Sequence, residues 1–253
     1  MISKNTIKRL NSLSQKKYRN KEQLFLVEGD KMVQELANSE LIVTELFVTP
    51  EFEDRYKKSG LQAGKTSVIQ KAELKKISQL KTPQNSLAVC RIPETGVLPK
   101  HIEDSLSVFL DGIQDPGNMG TIIRLCDWFG IKHLFCSPDT VDLYNPKVIQ
   151  ASMGSFMRVN IYESELSSVK DLAKNSGATI YGAFMNGAAI YDEKLAGRAI
   201  LVVGNEGSGI RESTEALIDK KISIPNFSDG KSKAESLNVS VATAIICSEF
   251  KRR

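Results

Sequence analysis

The sequence predicts an α/β protein in two parts: a small layered α/β domain, then a larger domain built on a mainly parallel sheet. Three observations carry that expectation. Apolar runs of strand length, such as Leu106 to Leu110 and Ala199 to Val203, alternate with amphipathic runs of helix length, the pattern of a parallel sheet covered on both faces. The stretch Pro93-Glu94-Thr95-Gly96-Val97-Leu98-Pro99 breaks both periodicities and divides the chain. A length of 253 residues, 41% apolar and 25% charged, suffices for one or two domains with real cores. The expected division is a first domain over 1–95, a linker over 96–106 and a second domain over 107–253.

Taken in order, residues 5 to 21 read as a basic helix, and Gln23 to Glu28 as a short strand ended by Gly29. Asp30 is placed to cap a helix over Lys31 to Asn38. Leu41 to Thr49 is a strand stopped by Pro50, and Lys71 to Leu80 and Leu87 to Ile92 complete an αβαβ pattern. In the second part, strands are expected at Leu106–Leu110, His133–Cys136, Thr179–Phe184, Ala199–Val203 and Ile222–Ile224. Helices are expected at Thr121–Phe129, Val148–Met153, Ser168–Ser176, Arg211–Ile218 and Asn238–Phe250.

Composition narrows the chemistry. The net charge is only +4, but Lys4, Lys8, Arg9, Lys16, Lys17, Arg19 and Lys21 come with no acid among them. Such an arm suits phosphate contacts, or a solvated helix face. The four cysteines lack CxxC spacing and three sit among apolar neighbours, so they read as buried thiols of a reducing compartment. With His101 and His133 the only histidines, a metal centre or a Ser–His–Asp triad is not expected. No apolar h-region follows the basic start, and no apolar run is long enough to span a bilayer, so the expectation is a cytoplasmic protein.

Three strand-to-helix corners hold the chemistry. The first runs Asp111-Gly112-Ile113-Gln114-Asp115-Pro116-Gly117-Asn118 into a helix bearing Arg124, at the end of a strand where ligands bind in open α/β sheets. Here Asn118 and Arg124 read equally as site residues or as a helix cap and an Arg124–Asp127 surface pair. The second, Gly204-Asn205-Glu206-Gly207-Ser208-Gly209, is spaced GxxGxG, a poor match to the GxGxxG dinucleotide turn. The carboxylate of Glu206 would repel a phosphate, so a cofactor with a positive centre suits it better. The third runs from Ile224-Pro225 through a polar loop to Ser236-Leu237-Asn238-Val239, where Ser236 or Asn238 is placed to cap the last helix.

Asp-Pro-Gly-Asn-x-Gly-x-x-x-Arg at 115–124, Gly-Asn-Glu-Gly-x-Gly at 204–209, and Ile-Pro followed by Ser-Leu-Asn-Val-Ser-Val-Ala at 236–242 resemble the three motifs of the SpoU-type ribose methyltransferases of the SPOUT superfamily. Asn145 to Ser155 resembles that family's linker region, and Phe25-Leu26-Val27-Glu28-Gly29 the small RNA-binding domain often fused ahead of it. The resemblance implies a C-terminal sheet threaded into a deep trefoil knot, a homodimer, and S-adenosylmethionine transferring its methyl group to a ribose 2′-hydroxyl of RNA. It implies catalytic roles for Asn118, Arg124, Glu206, Ser236 and Asn238. Cofactor contacts are implied at Gly204, Asn205, Gly207, Ile224, Pro225 and Leu237, and RNA contacts are expected at Lys16, Lys17, Arg19 and Lys147. No metal is needed. The N-terminal domain favours 23S ribosomal RNA over transfer RNA. The loop Asn226 to Glu235 is a few residues longer than the resemblance leads one to expect. The rivals are a catalytically silent RNA-binding protein of the same fold and, more distantly, a nucleotide-dependent oxidoreductase.

Overall fold

Ser3 opens the first helix: its hydroxyl accepts the N–H of Thr6 at 3.1 Å, the short-range bond that favours serine at an N-cap. The helical stretch predicted over 5–21 is two helices, α1 (Lys4–Ser12) and α2 (Lys16–Glu22). Arg19 explains the break. It is buried, and its Nη1 donates to the carbonyls of Leu13 and Ser14 at 2.8 and 2.9 Å, satisfying acceptors that a helix end leaves open. Its Nε donates to Asp142 at 3.0 Å, and its Nη2 pairs with the same carboxylate. Arg19 is therefore an internal fastener, and the RNA contact expected of it is corrected.

In the computed structural model, which describes residues 2–94, 96–102, 106–228 and 236–252, the chain forms two compact units. The first joins residues 1–94 with 142–157, and the second joins 95–141 with 158–253. After α2, Gln23 takes the left-handed conformation at φ 54° and the chain enters β1 (Leu24–Glu28). Gly29, at φ 106°, turns it into α3 (Asp30–Glu35). Then follow β2 (Val43–Val48), α4 (Pro50–Ser59), β3 (Ala63–Val68), α5 (Lys71–Ile77) and β4 (Ser86–Arg91). Asp30 does not cap its helix through its side chain. Instead it accepts the backbone and side-chain N–H groups of Asn85 and the hydroxyl of Ser86. The sheet order is β1-β4-β2-β3, with β4 antiparallel to both neighbours and β3 parallel to β2. Leu10 and Leu13 pack with Leu26, Phe47, Leu74, Ile77, Leu87 and Val89 to form its core.

The second unit begins with β5 (Leu106–Asp111), α6 (Pro116–Trp128) and β6 (His133–Cys136). The next helix, α7 (Pro146–Ser152), belongs to the first unit, where it packs on β1 and where Phe25 meets the rings of Tyr144 and Phe156. The second unit resumes with β7 (Asn160–Glu163), α8 (Leu166–Ser176), β8 (Thr179–Ala189) and β9 (Ala199–Gly204). It ends with α9 (Glu212–Glu215), β10 (Lys220–Ser223) and α10 (Val239–Arg252). The order is β10-β8-β9-β5-β6-β7, and every pairing is parallel. Phe109, Phe135, Ile200 and Val202 pack with α8 through Leu166, Val169 and Leu172. Strand alternation sends Leu201 and Val203 to the opposite face, where α10 packs on β9 and against α6.

A parallel sheet brings every strand C-terminus to one edge. Asp111, Gly204 and Ser223 end their strands there, so the loops bearing the three sequence corners share that edge. The path between Ser228 and Ser236, on which the expected knot and the length of the 226–235 loop depend, lies outside the described residues.

Candidate active site

Asp115 shapes the first corner. Its side chain accepts the N–H of Asn118 at 2.8 Å, and Pro116 occupies the first helical position of α6, where a missing N–H costs nothing. The cap is thus Asp115, and the reading of Asn118 as the cap is corrected. The Asn118 side chain is thereby left free of capping, and its Nδ2 donates to Glu206 Oε1 at 2.9 Å.

Asn238 completes the arrangement from the third corner. Its Oδ1 accepts the N–H groups of Ser240 and Val241 at 3.0 and 3.3 Å and so caps α10. Its Nδ2 donates to Asn118 Oδ1 at 2.9 Å. The polarity of this chain is fixed at both ends. Helix N–H groups require the oxygen of Asn238 to face them, and a carboxylate requires the amide nitrogen of Asn118 to face it. Asn238, Asn118 and Glu206, one from each motif, are therefore a directed relay of hydrogen bonds.

Glu206 also lies at the start of α6, with long contacts from the N–H groups of Gln114 and Asp115 at 3.5 and 3.4 Å. Helix N-termini attract anions, and here the protein's own carboxylate takes that place. A diphosphate would meet an anion already in position. A sulfonium donor fits the donor set better, since the corners carry the exposed carboxylates of Glu206 and Asp115 together with apolar Ile210, Ile224 and Leu237.

The glycine corner is held by Asp111 and Arg211, which carry no role in the sequence reading, and by Asn205. Asp111, fully buried at the end of β5, accepts the Arg211 backbone N–H at 2.9 Å and its Nε at 2.8 Å, and also pairs with Nη2. Arg211 Nη1 reaches Asp139 at 3.3 Å. Asn205 donates to the Gly112 carbonyl at 2.8 Å, while its Oδ1 accepts Gly207 and Ser208 N–H at 2.9 and 3.2 Å. The Glu206 loop is thus clamped to β5 at both ends. An aspartate closing the apolar run Leu106–Leu110 was the available signal, because a buried carboxylate requires a partner. Gly204 is required for the same packing: a Cβ there would lie 2.2 Å from the Gly209 carbonyl carbon.

Arg124 lies two turns into α6 from Asn118, is exposed, and has no hydrogen bond or ion pair among the described residues. The Arg124–Asp127 pair is not formed, because Asp127 accepts from Arg158 Nε at 2.9 Å. Of the other expected residues, Ile224 and Pro225 are half-buried just after β10, while Ser236 and Leu237 are exposed just before the α10 cap. Lys16, Lys17 and Lys147 are exposed and belong to the first unit. Among the described residues, no His, Cys, Asp and Glu side chains group to hold a metal ion, and no helix is long and apolar enough to cross a membrane.

The comparisons with known proteins agree with this arrangement. Residues 4–88 match the MRM3-like substrate binding domain. The 23S rRNA (guanosine(2553)-2′-O)-methyltransferase RlmP of Bacillus subtilis is 32% identical over 242 residues, covering 95% of this chain and 93% of RlmP. A solved Porphyromonas gingivalis protein assigned to the TrmH family of RNA methyltransferases superposes with a TM-score of 0.87 at 39% identity, covering 100% of this chain and 99% of that one. The fold is shared as well by the SpoU methyltransferase AviRb of Streptomyces viridochromogenes, solved with AdoMet, at a TM-score of 0.87 and 22% identity, covering 99% and 98%. Residues 105–248, which carry all three corners, match the SpoU rRNA Methylase family, and the chain belongs to that family.

Proposed function

We propose that this protein methylates the 2′-hydroxyl of a ribose in 23S ribosomal RNA, using S-adenosylmethionine. The observation that carries the reading is the relay from Asn238 through Asn118 to Glu206, which joins three distant motifs at one sheet edge, at the start of the helix that carries the exposed Arg124 two turns further on. RlmP, similar over nearly its whole length, is named for guanosine 2553, and that position is the target proposed for this chain.

Bound S-adenosylmethionine supplies an electrophilic methyl group on a sulfonium. Gly204, Asn205, Gly207, Ile224, Pro225 and Leu237 are the residues proposed to hold it, chiefly through loop backbone. Arg124 positions the acceptor. Its guanidinium stays protonated, so it orients the hydroxyl beside an adjacent phosphate, and the hydroxyl proton passes to solvent water as the methyl group is transferred. Alignment of this kind lowers a bimolecular barrier substantially. Asn118 and Asn238 keep Glu206 in place, and Ser236 orders the mouth from the last loop. The working unit proposed is a homodimer in the cytoplasm, with ribosomal RNA as partner. The exposed Trp128 at the end of α6 supports a face between two copies.

The test is calorimetric titration with S-adenosylmethionine, paired with mapping of ribose methylation in 23S RNA from cells with and without the protein. Cofactor binding and loss of one ribose methylation are expected. Absence of binding would overturn the assignment.

A further inference from the structure

Charge is divided unevenly between the two units. Residues 1–94 carry seventeen Lys+Arg against eleven Asp+Glu, a net +6, whereas the whole chain is +4. The balance of the second unit is therefore acidic, and attraction to a polyanion must come from the first. Within it, the arm singled out by the sequence is depleted, because Arg19 is buried and paired.

Five of the other cations gather elsewhere. Lys4 and Lys8 stand at i,i+4 on α1, and Asn11 continues the same stripe. That stripe borders α5: Asn11 Nδ2 donates to the Lys76 carbonyl at 3.0 Å, and Gln79 donates to Asn11 Oδ1 at 3.4 Å. Lys75 and Lys76 of α5 are exposed, as is Lys81 on the loop that follows. The acid on α5, Glu73, is turned to the backbone, accepting Ile2 N–H at 2.8 Å and Gln70 N–H at 3.3 Å. No ion pair among the described residues holds Lys4, Lys8, Lys75 or Lys76.

The loop bearing Lys81 is fastened at both ends. Buried Glu28 accepts the Gln79 N–H at 2.8 Å and the Ser78 hydroxyl, and Asp30 accepts Asn85 N–H at 2.9 Å. Gln84 Oε1 accepts the Asp30 N–H at 2.8 Å. The tip, Lys81-Thr82-Pro83, therefore projects from a fixed frame whose own acids are engaged within it.

We infer that the α1–α5 face, with Lys4, Lys8, Lys75, Lys76 and the loop tip at Lys81, is the surface of the first unit that grips the RNA phosphate backbone. Ammonium groups are point charges without the planar fork that reads bases or clamps phosphates in two places. The face thus supplies affinity and register, and leaves sequence reading to other contacts. This inference rests on the proposed RNA substrate.

The test compares three variants with the unaltered protein, titrated with deproteinised 23S RNA between about 50 and 200 mM KCl. One carries Lys→Gln at 4, 8, 75 and 76, the second Lys→Arg at the same positions, and the third Lys→Gln at 16 and 17. Each duplex phosphate contact contributes about 0.9 to the salt slope. The first variant is expected to lose about 3 of that slope and at least about 10-fold in affinity at 100 mM salt. The second should keep both, and the third should change little. An unchanged slope in the first variant, or the larger loss in the third, overturns the inference. S-adenosylmethionine titrations of the same samples separate the two readings: their failure counts against the methyltransferase assignment, and a salt-slope failure with cofactor bound counts against this face alone.

Discussion

The Asn238 side-chain amide donates to Asn118 Oδ1 at 2.9 Å across 120 residues of sequence. Because Asn118 passes the same polarity on to Glu206, the relay can be reversed chemically. Asn118→Asp places two carboxylates face to face and is expected to weaken S-adenosylmethionine binding at least about 10-fold, the scale of one charged hydrogen bond. Adding Glu206→Gln restores a donor opposite the new acceptor, so the double variant should recover most of the loss. Calorimetry on the four proteins of this cycle decides it, and purely additive losses would mean that the two side chains act independently.

Arg124 contributes nothing to the folded framework among the described residues. Arg124→Ala is expected to leave the melting temperature and cofactor affinity unchanged while slowing methyl transfer by at least about 100-fold. Single-turnover rates with saturating RNA make the measurement. Near-normal turnover removes Arg124 from the mechanism.

Arg211 should behave in the opposite way. Its removal leaves the buried Asp111 carboxylate with the backbone N–H of residue 211 but without the guanidinium, a loss of about 1–3 kcal/mol. Arg211→Ala is therefore expected to unfold at lower denaturant concentration and to lose cofactor affinity in parallel. Asp111→Asn removes the buried charge itself and should cost less.

Burial raises the Glu28 carboxyl above its ordinary value of 4.5, against the opposing bonds from Ser78 and Gln79. The folded state then holds that proton more tightly than the unfolded state does, so its contribution is fullest in acid and is lost as pH rises through the raised value. Relative to Glu28→Gln, the unaltered protein should lose stability as pH rises from the ordinary value of 4.5 through the raised one. Urea titrations at several pH values follow it, and parallel curves would contradict it.

Trp128 is 85% exposed, whereas tryptophan is highly buried on average. If two copies meet there, Trp128→Glu should shift the molar mass measured by light scattering from dimer towards monomer. A monomer before substitution would exclude the homodimer.

Much of the fold was legible because the strands are apolar and β-branched. His133–Cys136 was placed to the residue, and Ala199–Val203 missed only Gly204. The edge strand β7 (Asn160–Glu163) was not, because it is partly exposed and has no apolar run to reveal it. The helix expected at Arg211–Ile218 is a single turn, Glu212–Glu215. At the site, Gly, Asn and Pro marked the corners, but the links between them did not show. Asn118 and Glu206 are 88 residues apart, and no local pattern encodes such a pairing. Arg19 was misread for the same reason, since its partner Asp142 lies 123 residues away.

The tryptophan on α6 is the only one in the chain, which makes the protein its own optical reporter. Indole emission shifts to shorter wavelength when water is withdrawn, so intrinsic fluorescence will register whatever covers that helix without any dye or label. Dilution, added RNA and added cofactor can then be followed one at a time through a single spectral band.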